Sequence, residues 1–185
     1  MKQNKIFLVF AFAFLTMVLV GCSHSETAET IQVTTEIEEP TAANWRDIEL
    51  KDVLTGESFK ISDFKGKPVL LESMAVWCPT CTQQQKEIQK LHKEVGDAVV
   101  SISLDTDPNE DEAKLKDYVL GKGFEWRFAI SPVPLTKGLI NEFGITVVNA
   151  PSAPVVLICE DLSTRMLKGG VKSANTLKSE IEKGC

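Results

Sequence analysis

The sequence predicts an α/β domain, and three observations carry that prediction. Pro68 to Ala75 is a short apolar run typical of a buried strand, an amphipathic helical stretch follows it directly, and Ala98 to Leu104 is a second apolar run. Strand, helix, strand at this spacing is a crossover, which argues for parallel pairing of the first two central strands. A length of 185 residues allows one domain with short appendages and leaves little room for two independent enzymatic cores.

The amino terminus has the layout of an export signal. Lys2 and Lys5 form a positive start, and Ile6 to Val20 is apolar except at Thr16. Fifteen residues fall short of the ~20 that a spanning helix needs, so residues 1–21 are expected to be a signal peptide and not a permanent anchor. Leu19-Val20-Gly21-Cys22 resembles the lipobox of prokaryotic lipoproteins, which implies cleavage before Cys22 and a lipid on that cysteine. Losing Lys2 and Lys5, and no acidic residue, takes the formal charge from −6 to −8. Residues 22–44 are rich in Thr, Glu and Ser and have no sustained apolar period, so they read as a flexible tether that cannot offset the entropy of ordering.

The domain proper is expected at residues 45–185. Ile48 to Val53 and Phe59 to Ile61 flank Thr55-Gly56, predicting an amino-terminal β-hairpin. After the strand at 68–75, Cys81, Ile88, Leu91 and Val95 repeat at helical spacing, and Gly96 supplies a stop. The 98–104 strand leads to Asp105, Asp107 and Pro108, read as the start of a second helix ending at Gly121. Phe124 to Ile130 reads as a strand, Leu135 to Phe143 as a helix, Val155 to Cys159 and Thr164 to Leu167 as two strands, and Ala174 to Ile181 as a last helix. Glycine pairs such as Gly169-Gly170 fall at element ends, where they act as turns, so they form no phosphate-binding pattern.

Charged residues make up 25% of the chain, and the acidic balance supplies no basic patch to neutralise phosphates, so no nucleic-acid partner is expected. Cysteines at 22, 78, 81, 159 and 185 are too sparse for a disulfide-dense mini-fold. Cys78-Pro79-Thr80-Cys81 is the informative pair, because it lies between a buried strand and the helix that follows. The first sulfur then sits beside unsatisfied backbone N–H groups at the positive end of the helix dipole, which stabilises a thiolate. Pro79 suits the first helical turn, where its missing N–H costs nothing. Cys81, one turn in, faces the core and is placed to attack a mixed disulfide formed at Cys78.

With Trp77 before it and the lead-in Ser62-Asp63-Phe64-Lys65-Gly66-Lys67-Pro68-Val69-Leu70-Leu71, this segment resembles the thioredoxin superfamily, and within it the membrane-tethered TlpA/ResA-like thiol–disulfide oxidoreductases. The resemblance covers roughly residues 62–182. It implies a thioredoxin-like fold, a central mixed sheet flanked by helices, here extended by the hairpin. It also implies a redox-active Cys78–Cys81 disulfide and a client-binding surface of Trp77, Pro79, Thr80, Ala153 and Pro154. The family's cis-proline falls at Pro154, which directly precedes an apolar strand, or at Pro151, which is closer to Phe143-Gly144-Ile145; Pro154 fits better. Glu72 interrupts the first central strand where thioredoxins carry a buried aspartate, and it is expected to be buried and to take a proton from Cys81.

Departures from the group's pattern are Gln84, where a glutamate is common, and Ser73-Met74, where an aromatic pair is usual. The Pro-first dipeptide Pro79-Thr80 resembles that of oxidising DsbA-like enzymes and leaves the direction of electron flow open. Cys159 is expected to behave as a small buried hydrophobe, and Cys185 to be exposed, either free or paired with another thiol. His92 lies eleven residues along the helix from Cys81, about 16 Å away, and His24 lies in the tether, so neither joins the pair. No metal and no cofactor are expected.

The resemblance implies a lipid-anchored, extracytoplasmic, monomeric enzyme. It would exchange disulfides with exported proteins, as a reductant of apocytochrome c or another client with paired cysteines, and a membrane electron donor would recharge it. Two other readings remain. A peroxiredoxin-like peroxidase is disfavoured by Ala75, which stands where the peroxidatic motif has threonine. A non-catalytic metal-binding lipoprotein would use the C-x-x-C pair as ligands.

Overall fold

The computed structural model describes residues 44–185. The expected signal peptide, Cys22 and residues 22–43 of the tether lie outside the described residues.

The hairpin forms, with β1 (Leu50–Lys51) antiparallel to β2 (Ser58–Phe59) and Leu50 opposite Phe59. Its pairing is shorter than the apolar pattern suggests. Asp52 turns the chain early by accepting from Leu54 N and Thr55 Oγ1, and Ile61 opens a 3-10 turn, Ile61–Phe64, instead of continuing the strand.

The central sheet has five strands: β3 (Val69–Met74), β4 (Val100–Asp105), β5 (Arg127–Ile130), β6 (Val155–Ile158) and β7 (Thr164–Met166). Their order is β5-β4-β3-β6-β7. Strands β3, β4 and β5 are parallel, as the crossover requires, whereas β6 and β7 run antiparallel, so the sheet is mixed.

Four helices cover it: α1 (Pro79–Val95), α2 (Glu112–Lys122), α3 (Val133–Phe143) and α4 (Ala174–Lys183). Helix α2 begins later than the sequence suggests. Its cap is Asp111, which accepts from Lys114 N at 2.8 Å, while Thr106 to Glu110 form a loop held by the carboxylates of Asp105 and Asp107. It also passes Gly121 and stops at Gly123, which adopts the left-handed conformation.

Alternation along the strands divides the core into two layers. Leu70 and Met74 of β3 join Phe128, Val155 and Leu157 beneath α1, α2 and α4, which contribute Ile88, Leu91, Leu115, Val119 and Leu177. Val69 and Leu71 point the other way, joining Ile102, Leu104, Val156 and Ile158 against Leu135 and Leu139 of α3 and the amino-terminal Trp45, Leu50 and Phe59. Trp45 packs so closely on α3 that a Cβ at Gly138 would lie 2.5 Å from its own Cβ.

Cys159 differs from expectation, while Cys185 is exposed and takes the paired one of its two expected states. They form a disulfide, Cα atoms 6.0 Å apart, that fastens the end of α4 to the β6–β7 turn. Cys159 is only half-buried where β6 gives way to that turn, so it serves as a cross-link and not as an apolar filler.

Candidate active site

Cys78 and Cys81 form a disulfide where β3 hands over to α1, with Cα atoms 5.3 Å apart. Cys78 is the helix N-cap in extended conformation, and its sulfur accepts from Cys81 N at 3.1 Å, one of the orphan donors of the first turn. Pro79 occupies the first turn, as its fixed φ favours. Cys81 is fully buried, and its sulfur lies 3.2 Å from the Ala150 carbonyl oxygen in the 3-10 turn Ala150–Ser152. Cys78 is 1% exposed and belongs to the apolar cluster beneath α1, its sulfur bonded to Cys81. The two cysteines therefore differ in their place on the helix and not in exposure. Trp77, 58% exposed, stands beside them as an apolar surface.

Of the remaining expected site residues, Pro79 and Thr80 open α1, and Ala153 and Pro154 lead into β6. Ala153 has a φ of 46°, unusual for a residue with a Cβ, and the Pro154 carbonyl accepts from Ser73 N at 3.3 Å. Pro151 lies within the turn that touches Cys81.

Glu72 is 0% exposed, on the β3 face that points to α1. It pairs in register with Ser103 of β4, whose hydroxyl donates to Glu72 Oε2 at 2.7 Å while accepting from Trp126 Nε1 at 3.0 Å. Among the described residues Glu72 Oε1 and Gln85 Nε2 have no hydrogen-bond partner, although Gln85 lies beside the carboxyl and lowers its pKa slightly. Burial dominates and pushes the Glu72 pKa from 4.5 up to about 8, with Ser103, Gln85 and the positive charge of Lys172 pulling more weakly the other way. A carboxyl in that state can hold or release a proton near neutrality.

Several residues around the pair escape the sequence reading. Gln84 and Gln85 are fully buried on the helix face that also carries Cys81 and Ile88. Gln84 bridges the main chain of Lys172 in both directions, accepting from its N at 2.7 Å and donating to its O at 3.1 Å. Gln85 accepts from Tyr118 OH, which also contacts Thr82 Oγ1. A second acidic group holds the approach to Cys78: Glu110 Oε2 accepts from Val76 N at 2.6 Å, and Asp107 Oδ2 accepts from Trp77 Nε1 at 2.6 Å. Burial raises the Asp105 pKa to about 7, aided by the neighbouring Glu110 carboxyl. A signal existed in the spacing: Ser101, Ser103 and Asp105 alternate along a strand flanked on both sides by others, so polar side chains had to face one buried layer.

A groove of about 970 Å³ lies at the opposite end of β4, lined by Lys65, Lys67, His92, Lys93, Asp97 and Trp126, and contains neither cysteine. Among the described residues no group of three or more His, Cys, Asp or Glu side chains is arranged to hold a metal ion.

A C-x-x-C disulfide capping the first helix after a central strand, in a mixed sheet of this order, defines a thioredoxin-fold protein. The Redoxin family model matches residues 40–166, and the chain belongs to that family. Thioredoxin-like protein YneN of Bacillus subtilis is 38% identical over 74 residues, covering 39% of this chain and 42% of that protein. Thiol-disulfide oxidoreductase ResA of Bacillus thuringiensis subsp. konkukian is 33% identical over 97 residues, covering 50% and 51%. The chain thus spans about half the length of the curated relatives it matches. Among solved structures, the exposed lipoprotein thioredoxin Etrx1 of Streptococcus pneumoniae superposes with a TM-score of 0.60 at 21% identity, over 74% of this chain and 98% of that one.

Proposed function

We propose that this protein is a thiol–disulfide oxidoreductase that reduces disulfides of exported proteins, held at the outer face of the membrane by a lipid on Cys22. The observation that carries the reading is the Cys78–Cys81 pair at the start of α1, with the buried Glu72 on the strand beneath it. Its kinship with ResA-like proteins supports the same chemistry.

In the reduced state the Cys78 thiolate, stabilised by the helix start, attacks a client disulfide. One client sulfur leaves as a thiolate, and the other is joined to Cys78. Cys81 then gives its proton to Glu72, and its thiolate attacks Cys78 Sγ. The Cys78–Cys81 bond forms, the bond to the client breaks, and the client, its two thiolates taking protons from Glu72 and water, departs as a dithiol carrying the two electrons the enzyme has lost. A membrane electron donor returns the pair to its reduced form. Trp77, Pro79, Thr80, Ala153 and Pro154 provide the surface on which the client strand lies.

Trapping with exported proteins tests this directly. Cys81→Ser should accumulate mixed disulfides and Cys78→Ser should not, and the reduced parent should reduce insulin. Peroxide turnover without insulin reduction would favour a peroxidase, and tight metal binding by the reduced protein without either activity would favour a metal carrier. A reduction potential near −120 mV, as in oxidising DsbA, would reverse the direction of electron flow.

A further inference from the structure

The chain between β3 and α1 lies outside both sheet and helix. Met74 ends the strand and Cys78 caps the helix, so Ala75, Val76 and Trp77 turn the backbone without a regular ladder to hold it. Backbone partners serve part of this turn: Cys78 N donates to the Ala75 carbonyl at 3.1 Å, and the Met74 carbonyl accepts from Thr106 N at 3.0 Å. The Val76 N–H instead meets a side chain. Glu110 Oε2, in the loop before α2 and 34 residues along the chain, accepts from it at 2.6 Å. A charged acceptor at that distance makes one of the stronger hydrogen bonds available to a backbone amide.

Glu110 is an unusual residue to find there. It is 8% exposed, and a buried carboxylate is unfavourable unless its oxygens are paired. Oε2 has Val76 N, and Oε1 forms an ion pair with Lys114 Nζ of α2 at 2.6 Å. One side chain thus joins the α2 end of the loop to the turn that delivers Cys78.

We propose that Glu110 is a positioning residue for the Cys78 nucleophile: by holding Val76 N it sets the turn out of β3, and so keeps the Cys78 sulfur on the amide donors at the start of α1. The proposal rests on the reading of Cys78 as the attacking cysteine given above.

Cys78 has φ −86° and ψ 108°, and in that conformation its sulfur meets Cys81 N at 3.1 Å. A thiolate gains from the helix start only while it stays within reach of the first-turn donors. Release of Val76 N would free the Ala75–Trp77 turn, and the cap would lose its fixed direction. The charge of Glu110 acts in the opposite sense, since a negative group disfavours a neighbouring thiolate. Bond and charge therefore predict shifts of opposite sign. Around the junction the other titratable groups are Asp105 and Asp107 at the end of β4, Lys114 and Tyr118 of α2, Glu72 of β3, and Lys172 beside Ala153. All of them stay in place in the variants below.

The test uses the reduced full chain and follows alkylation of Cys78 by iodoacetamide, read by peptide mass spectrometry from about pH 4 to 10, in the parent, Glu110→Ala and Glu110→Gln. In Glu110→Ala, which leaves Val76 N without its acceptor, the midpoint should rise by about one pH unit, so alkylation below it should slow about tenfold. Glu110→Gln keeps an oxygen for Val76 N and should stay at the parent midpoint or slightly below it. An unmoved midpoint in Glu110→Ala would make Glu110 a packing residue, and an equal fall in both variants would make it act by charge; either result overturns the proposal. If Glu110→Ala does not fold, amide exchange at Val76 in the parent decides. Slow exchange, with Glu110→Gln at the parent midpoint, supports the proposal, whereas exchange as fast as in an exposed turn overturns it. Alkylation needs no client, so failure of the parent to reduce insulin would remove the functional reading and leave the result on Glu110 standing by itself.

Discussion

The indole nitrogen of Trp77 donates to Asp107 Oδ2 across 2.6 Å, tying the residue before Cys78 to the loop between β4 and α2. That hydrogen bond, with those from Asn109, holds the Asp107 carboxyl below its ordinary pKa of 3.8. A lowered acid keeps its contact above its unfolded pKa and loses it as pH falls through the folded one. Trp77 emission should therefore stay constant from neutrality down to about pH 4. Asp107→Ala should change that emission at pH 7 and cost no more than about 1 kcal/mol of stability, because the contact is partly exposed to water. Fluorescence and denaturant unfolding of the same samples check it; an unchanged spectrum would mean the indole is not held in solution.

The buried Glu72 makes a signed prediction about stability. Its folded pKa of about 8 lies above the ordinary 4.5, so its ionised form carries a cost. That cost is absent below the unfolded value, grows as pH rises from about 4.5 to 8, and then levels off. Glu72→Gln should remove this slope and stabilise the fold near pH 7.5 by on the order of 4 kcal/mol, while slowing resolution at Cys78. Urea unfolding at pH 5 and 7.5 measures the first effect. A parent whose difference from the variant is the same at both values would show that Glu72 does not titrate as a buried acid.

Loss of the Cys159–Cys185 bond should act on stability and leave exchange chemistry intact. It closes a loop across a sequence separation of 26 residues that contains β7, the Lys172 loop and α4. In the chain-entropy picture such a loop contributes about 3 kcal/mol. The double variant Cys159→Ala, Cys185→Ala should lose that amount in denaturant unfolding, with amide exchange rising first in α4. Equal protection of α4 in both proteins would show that its packing on α1 suffices.

Much of this is legible in the residues alone, and the reasons are physical. Period-two and helical patterns are local, so the strands from Val69, Val100 and Val155 and the helices from Pro79 and Ala174 follow from the residues themselves. The C-x-x-C pair was recognisable because its flanks fixed it at a strand-to-helix junction. Glu72 was expected to be buried because it interrupts an apolar strand at the place where thioredoxins carry a buried aspartate, and it is. What escaped depends on distant parts meeting. Cys159 and Cys185 come together only once α4 lies beside the β6–β7 turn, and Lys172 reaches Ala153 across the same fold. The start of α2 was misplaced because Asp105, Asp107 and Asp111 are all plausible caps by type. Only Asp111 is free for the role, since Asp105 and Asp107 are occupied in their own loop.

Gly138 should tolerate no side chain. A methyl group there would overlap Trp45 Cβ at 2.5 Å, and its Cγ and Cδ1 at 3.0 Å. Although alanine favours helices over glycine, Gly138→Ala should lower stability by about 1–3 kcal/mol by forcing Trp45 off α3. Thermal unfolding together with quenching of Trp45 by acrylamide reports it; a more stable variant would mean that the amino-terminal segment does not sit on α3 in solution.

The hairpin has a consequence for how the molecule behaves among copies of itself. Strand β5 ends one side of the sheet, and an uncovered edge strand presents unpaired amides and carbonyls to any neighbouring chain. Here Val53, just after β1, donates its N–H to the Phe128 carbonyl at 2.9 Å, while the Arg127 guanidinium sits over the rings of Phe59 and Phe64. The short amino-terminal strands therefore act as a guard rail along that edge. The β5 side of the sheet therefore offers less of an adhesive seam to a second copy of the chain.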